Sequence, residues 1–214
     1  MNRSIKEIMN EQLKKQSQIS EKQKAVLNSA TVLFSERGFY NTSTKDIARM
    51  AKVSEGTVYK HFKTKNELLY AGLLPLYKSV VAPEVLKEFS SELSKCDNLD
   101  AFIDTFVDNR IKFIDNNKNI IKIIFGEVMY NTDFRNIMTD VVKQSIGPTI
   151  SQYIQNLKDN NQIDKDIPAD LAFRMMASQT ISVMLPVLLS QDYSKSKLNE
   201  NIILTKQLLI KMLR

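Results

Sequence analysis

Three residues that favour helix starts, Ser43, Ser54 and Thr64, follow one another closely, and each has an acidic residue within the next three positions: Asp46, Glu55 and Glu67. A Ser or Thr side chain at such a position accepts from an otherwise orphaned amide of the first helical turn, and a carboxylate there suits the positive end of the helix. The helices so started are short, the first reaching only to about Ala51. Ile47, Ala48, Ala51, Val53, Val58 and Phe62 are then available for a shared core, the two alanines letting the helices approach and cross. The connection Lys52-Val53-Ser54 is very short, so residues 44 to 62 are expected to form a helix-turn-helix.

Upstream, Ser20-Glu21-Lys22-Gln23 has the form of a reciprocal capping box. Val26, Leu27, Ala30, Leu33 and Phe34 make one apolar stripe, and Gly38 ends the helix because glycine accepts the left-handed backbone needed there. Downstream the chain reads as helix throughout: it has only 5 Gly and 5 Pro, three-and-four apolar spacing and no hairpin signal. Asn98 caps a helix carrying Phe102, Ile103, Phe106, Ile111 and Phe113. Another carries Ile121, Ile124, Phe125, Val128 and Met129. A long helix from about Phe134 to Leu157 is interrupted at Pro148. The last two, about 168 to 189 and 198 to 214, hold more apolar residues than one buried stripe needs. Loops are expected at 90 to 98, 158 to 166 and 190 to 197. The fold class is therefore all-α, divided as an extension (1–19), a helix-turn-helix domain (20–66) and a helical body (67–214).

Charge separates the ends of the chain. Residues 1 to 70 carry 13 Lys+Arg against 7 Asp+Glu, and residues 71 to 214 carry 17 against 17, so the whole net charge of +6 lies at the front. A basic segment on a neutral body fits a polyanion partner. The second short helix has what a major groove of about 12 Å requires: small or polar residues near its N-terminus, an apolar inner face and phosphate-binding groups around it. Gly56 lets the backbone approach, Thr57 can meet a thymine methyl or a base edge, and Tyr59 and Lys60 can reach bases or phosphates. Glu55 and His61 also point outward. Ser43, Thr44 and Lys45 stand where a phosphate could be held, as does Lys65, a base in the unfavourable first turn of a helix. Ser54 completes the expected DNA-binding set.

Other classes lack parts. There is one cysteine, Cys96, and one histidine, His61, and no phosphate loop or nucleophile elbow, so no catalytic set, metal site or cofactor is expected. No apolar run reaches the roughly 18 residues of a membrane span, the longest, Ile181 to Leu189, being broken by Pro186, and the N-terminus has no secretory-signal pattern. A cytoplasmic location is the expectation.

The residues Gly38-Phe39-Tyr40-Asn41-Thr42-Ser43-Thr44, Asp46-Ile47-Ala48, Ala51-Lys52-Val53-Ser54, Gly56-Thr57-Val58-Tyr59-Lys60-His61-Phe62 and Lys65-Asn66-Glu67-Leu68-Leu69 stand in the order and at the spacing of a known domain. The segment from 20 to 70 resembles the DNA-binding domain of the tetracycline-repressor (TetR) family. It departs at Lys52, where that family often has glycine and where a positive φ would cost of order 1 kcal/mol. The resemblance implies a repressor: a homodimer paired through the last two helices, bound to a palindromic double-stranded DNA operator and released by an apolar or amphipathic small molecule. Phe106, Arg110, Phe113, Phe125, Met129, Phe173, Arg174 and Met176 are the expected ligand-binding residues, although a surface salt bridge is the more natural role for either arginine. Ser4-Ile5-Lys6-Glu7 could cap a short helix, and Lys14 and Lys15 could serve a basic arm, but a frayed tail is the reading slightly favoured. The rival reading is a helical interaction module or apolar-ligand carrier without specific DNA binding.

Overall fold

A computed structural model describes residues 19–69, 82–130, 132–190 and 193–214. The expectations for Ser4 to Lys15 lie outside these residues. The described elements are helices, with no strand among them: α1 (Glu21–Arg37), α2 (Thr44–Met50), α3 (Glu55–His61), α4 (Lys65–Glu67), α5 (Ala82–Leu93), α6 (Leu99–Asn116), α7 (Lys118–Tyr130), α8 (Thr132–Val141), α9 (Gly147–Asp159), α10 (Ala169–Leu189) and α11 (Lys195–Leu213). The described residues fall into two compact units, one drawn from 19–69, 82–85 and 119–138, the other from 86–118 and 139–214. Residues 119–138, expected in the body, thus group with the N-terminal helices.

In the first unit α1, α2 and α3 pack on one another. Val26, Leu27, Ala30, Leu33 and Phe34 of α1 are buried with Ile47, Ala48, Val58 and Phe62, as their spacing predicts, while Ala51 and Val53 are only half-buried. The caps form as read. Ser20 and Gln23 close their box reciprocally, Ser43 pairs with Asp46, and Ser54 and Thr64 accept from the amides of Thr57 and Glu67. Glu67 departs from a full box, accepting from the amide of Lys63 at 2.8 Å.

In the second unit α10 packs on α6, α9 and α11, and α6 also on α11. Their shared core holds Phe89, Leu99, Phe102, Phe106, Ile150, Ile154, Met176, Leu209 and Leu213. The interruption near Pro148 is a π-helical turn at Val142–Ile146, closed by the amide of Gly147 donating to Val142 O. Proline has no amide to return to the residue four positions back, so the ladder widens by one residue ahead of it. A Cβ on Gly147 would lie 3.1 Å from Val142 O, a tight contact that a side chain could make only if that carbonyl shifted by a few tenths of an ångström.

Helix α10 runs unbroken through Pro186 and, by length and composition alone, is apolar enough to cross a membrane, contrary to the reading that broke the run there. Its apolar residues are divided between two faces. Met176, Val183, Met184, Val187 and Leu188 are buried in the unit, whereas Leu171, Leu185 and Leu189 are exposed. Helix α11 divides likewise, Leu209 and Leu213 inside, Ile203, Leu204, Leu208 and Met212 outside.

Candidate nucleic-acid interface

The interface begins at the turn after α1. Gly38 takes φ +82°, and its amide closes the helix on Phe34 O at 3.0 Å. Thr42 is buried, and its hydroxyl lies 2.9 Å from Gly38 O and 3.2 Å from Leu33 O. Lys65 reaches back across the same turn. Its Nζ donates to Phe39 O at 2.8 Å and Thr42 O at 3.0 Å and stands 4.3 Å from the Phe39 ring centroid. Burial pulls its pKa below the ordinary 10.5. Two of its three ammonium donors are thus directed inward, and the residue anchors the turn ahead of α2.

Between α2 and α3 the chain turns through a Schellman motif. Val53 N–H donates to Ala48 O at 3.0 Å and Lys52 N–H to Arg49 O at 3.2 Å, with Lys52 at φ +55°. The departure from glycine is accommodated in the left-handed conformation, and the turn keeps its geometry.

The caps are committed within the protein. Ser43 Oγ accepts from Asp46 N at 3.0 Å and lies 2.6 Å from Asp46 Oδ2, to which it donates. The Ser43 hydroxyl and then its amide hold Asp46 below the usual carboxylate range against the opposing effect of burial, with lesser help from the charges of Arg49 and Arg37. Ser54 Oγ accepts from Thr57 N at 3.1 Å and lies 2.9 Å from Thr57 Oγ1. Thr44 Oγ1 donates to Glu55 Oε1 at 2.9 Å and lies 3.0 Å from the Tyr59 hydroxyl, tying α2 to α3.

On α3 Val58 is fully buried, whereas Gly56, Tyr59 and Lys60 are exposed, as is Lys45 on α2. Glu55, Thr57 and His61 are half-buried, and the His61 ring packs beside Phe62. A Cβ on Gly56 would meet nothing nearer than Ser54 Oγ at 3.8 Å, so no contact within the protein requires glycine there.

Ser43, Thr44, Tyr59 and Lys65 come together along an open groove of about 540 Å³. Its walls also include Tyr40, Asn41, Thr42 and Lys63, which the sequence reading had not placed in the site. A signal for Tyr40 was available: it is an aromatic residue beyond the end of the apolar stripe, and it is 78% exposed where its neighbour Phe39 is buried.

The expected ligand-binding residues divide. Phe106 is buried, 5.4 Å from Phe89 and 6.5 Å from Phe173 between ring centroids. The Arg110 guanidinium lies 3.9 Å from the Phe89 centroid and 4.9 Å from that of Phe113, and it also bonds Asn109 Oδ1. Asn109 in turn donates to Glu92, a polar partnership not anticipated. Met176 is buried in the same core. Phe125 and Met129, by contrast, lie in the other unit, 42% and 70% exposed. Arg174 is exposed and paired with Asp170 at 3.2 Å, one turn earlier on α10. A helix apolar on several sides leaves Phe125 and Met129 facing outward, and Arg174 forms the surface pair that its sequence also allowed. Among the described residues no group of three or more His, Cys, Asp or Glu could hold a metal ion.

The family described as "Bacterial regulatory proteins, tetR family" matches residues 26–71. The HTH-type transcriptional regulator HbdR of Aromatoleum sp. (strain CIB) is 42% identical over 55 residues, 26% of this chain and 24% of HbdR. The chain thus spans about a quarter of that relative's length. UidR of Escherichia coli (strain K12), also an HTH-type transcriptional regulator, is 23% identical over 162 residues, 76% of this chain and 79% of UidR. Among solved structures, the transcriptional regulator FadR of Bacillus subtilis, in complex with stearoyl-CoA, has a TM-score of 0.66 at 16% identity over 89% of this chain and 98% of its own. At that identity the likeness is one of fold. A capped helix, a Schellman turn and a second capped helix occupy residues 26–71, the segment that matches the tetR family of bacterial regulatory proteins.

Proposed function

We propose that the chain is a cytoplasmic, ligand-responsive transcriptional repressor that binds a palindromic operator as a homodimer and leaves it when a small molecule binds the helical body. The observation that carries this reading is the outer face of α3. Glycine within a helix is destabilising by up to about 1 kcal/mol relative to alanine, and nothing within the protein offsets that at Gly56. An approaching partner backbone does offset it. With Thr57, Tyr59 and Lys60 on the same short helix, a major groove is the fitting partner, and Lys45 and Lys63 stand where phosphates would run.

The exposed apolar faces of α10 and α11 support pairing with a second copy, since Leu185, Leu189, Ile203, Leu204, Leu208 and Met212 face solvent in the single chain. A two-fold pair would set the two copies of α3 about 34 Å apart, one DNA turn. The cluster of Phe89, Phe106, Phe113 and Phe173 with Arg110 supports an amphipathic effector bearing an anionic group. FadR, solved with stearoyl-CoA, makes long-chain acyl-CoA a reasonable first compound to try.

Selection from a random duplex pool, followed by fluorescence anisotropy on the enriched sequence, tests the reading. The expected result is a palindromic site bound with steep salt dependence and released by an amphipathic anion. Weak binding without sequence preference at physiological salt would refute it in favour of a carrier or interaction module.

A further inference from the structure

Helices α10 and α11 pack on each other, and an open groove of about 270 Å³ lies between them. Leu204 and Leu208 form part of its wall, yet Gln179 and Ser182 of α10 and Asn201 and Thr205 of α11 line it too. Ser182 and Asn201 are exposed, Gln179 and Thr205 half-buried. The nearby hydroxyls of Ser178 and Thr180 are turned back onto α10, to Met175 O at 3.1 Å and Met176 O at 2.8 Å. Among the described residues the four polar side chains of the groove bond no group of the chain, and no charged residue lines it. A polar patch thus interrupts a surface otherwise made apolar by Leu185 and Leu189 on one helix and Ile203, Leu208 and Met212 on the other.

The chemistry of the patch limits what can cover it. Helix α10 is apolar enough, by length and composition, to meet lipid. Hydrocarbon offers no partner to an amide or a hydroxyl, so a lipid cover would leave all four groups unsatisfied. A wholly apolar pair of helices would do the same. A second copy turned by a two-fold axis presents the identical patch. Amides and hydroxyls both donate and accept, so each of the four can bond a copy of itself or of its neighbour, whereas a charged lining would meet its own sign.

We propose that this groove selects the partner: the Gln179 and Asn201 amides of two copies bond across the two-fold axis, so the chain pairs with itself and rejects helices whose matching face is wholly apolar. This inference rests on the homodimer reading above and adds to it the residues that decide which chain is accepted. The exposed leucines supply an attraction that any apolar face would share. Covered amides disfavour a partner that cannot return their hydrogen bonds. Polar groups inside an apolar helix interface fix partner and register at a cost in strength, as a buried asparagine does in coiled coils.

The test mixes the full parent chain with an isotopically heavy copy of itself and, separately, with heavy Gln179→Leu/Asn201→Leu. Each protein is first shown by circular dichroism to be folded, and dimers are counted by native mass spectrometry after subunit exchange. The two parent copies should give the statistical share of mixed dimers. Parent with variant should fall about ten-fold below that share, since covered amides are left unpaired, while the variant pairs with itself at least as tightly as the parent does. Leu208→Ala, which removes attraction and keeps the amides, should weaken pairing yet mix with the parent in the statistical share. Statistical mixing of the parent with the double variant would overturn the inference and leave the homodimer standing. If the parent sediments as a monomer, the homodimer reading falls and takes this inference with it, and co-flotation with vesicles of phosphatidylglycerol and phosphatidylcholine would then identify lipid as the cover.

Discussion

Lys206 on α11 is the place where one side chain holds two helices together. Its Nζ lies 2.8 Å from Asp108 and 3.2 Å from Asp104, one turn apart on α6, with the lysine side chain 16% exposed and the aspartates 49% and 59%. Replacing it by methionine keeps most of the packed stem and removes both charged contacts. Charge-assisted bonds to well-covered groups are worth roughly 1.5–3 kcal/mol, but exposure of the aspartates brings each contact toward the 0.2–1 kcal/mol of surface pairs. Leaving two carboxylates four residues apart adds roughly 0.2–0.5 kcal/mol of repulsion. The expected loss is about 1–2 kcal/mol, or a Tm lower by about 3–6 °C for a chain of this size. Burial alone would lower the Lys206 pKa, but hydrogen bonds and charges of Asp108 and Asp104 outweigh it and raise the value above 10.5. For a cation with a raised folded-state pKa, stabilisation is complete below 10.5 and is lost as pH rises through the higher folded value. Thermal melts of both proteins at fixed protomer concentration should therefore show a constant gap from pH 7 to about 10 that closes only in stronger alkali. A gap below about 1 °C at pH 7, or one that closes near neutrality, would refute the reasoning.

Gly56→Ala should raise stability by up to about 1 kcal/mol in urea melts, because its Cβ meets nothing nearer than 3.8 Å, while weakening operator binding. A variant that is more stable and binds as before would remove the case for close backbone approach. Lys52→Gly relieves the left-handed conformation at φ +55° and should add up to about 1 kcal/mol to stability, visible as a higher denaturation midpoint. Asp46 has a folded-state pKa below 3.8, so its cap contributes fully above that value and is lost as pH falls through the lower one. Acid titration of the α2 amides by NMR should show the loss in the parent chain and not in Asp46→Asn.

Caps were legible in the sequence because they are local. Ser20, Ser43, Ser54, Thr64 and Asn98 each accept from an amide three residues ahead, and Gly38 takes positive φ where a helix must stop, so residue type and spacing suffice. The helix-turn-helix at 44 to 62 followed from those signals. Of the residues expected to point outward on α3, Gly56, Tyr59 and Lys60 are exposed, whereas Glu55, Thr57 and His61 are half-buried.

Only the tertiary structure decided what those side chains do once the helices meet. Lys65 looked like a phosphate ligand because it sits in a first turn, yet its ammonium is taken by carbonyls 23 and 26 residues earlier in the chain. Glu55 gained its direction from Thr44, 11 residues away, and Thr44 from Tyr59, 15 away. In α7 the run Ile121 to Met129 is apolar on more than one side, so periodicity could not choose between Phe125 inside and Phe125 outside. The physical reason is one of range. Backbone hydrogen bonds and caps act within a turn and are written in neighbouring residues, whereas the direction of a long polar side chain, or of one apolar face among several, depends on which distant groups the packed helices bring within about 3–4 Å.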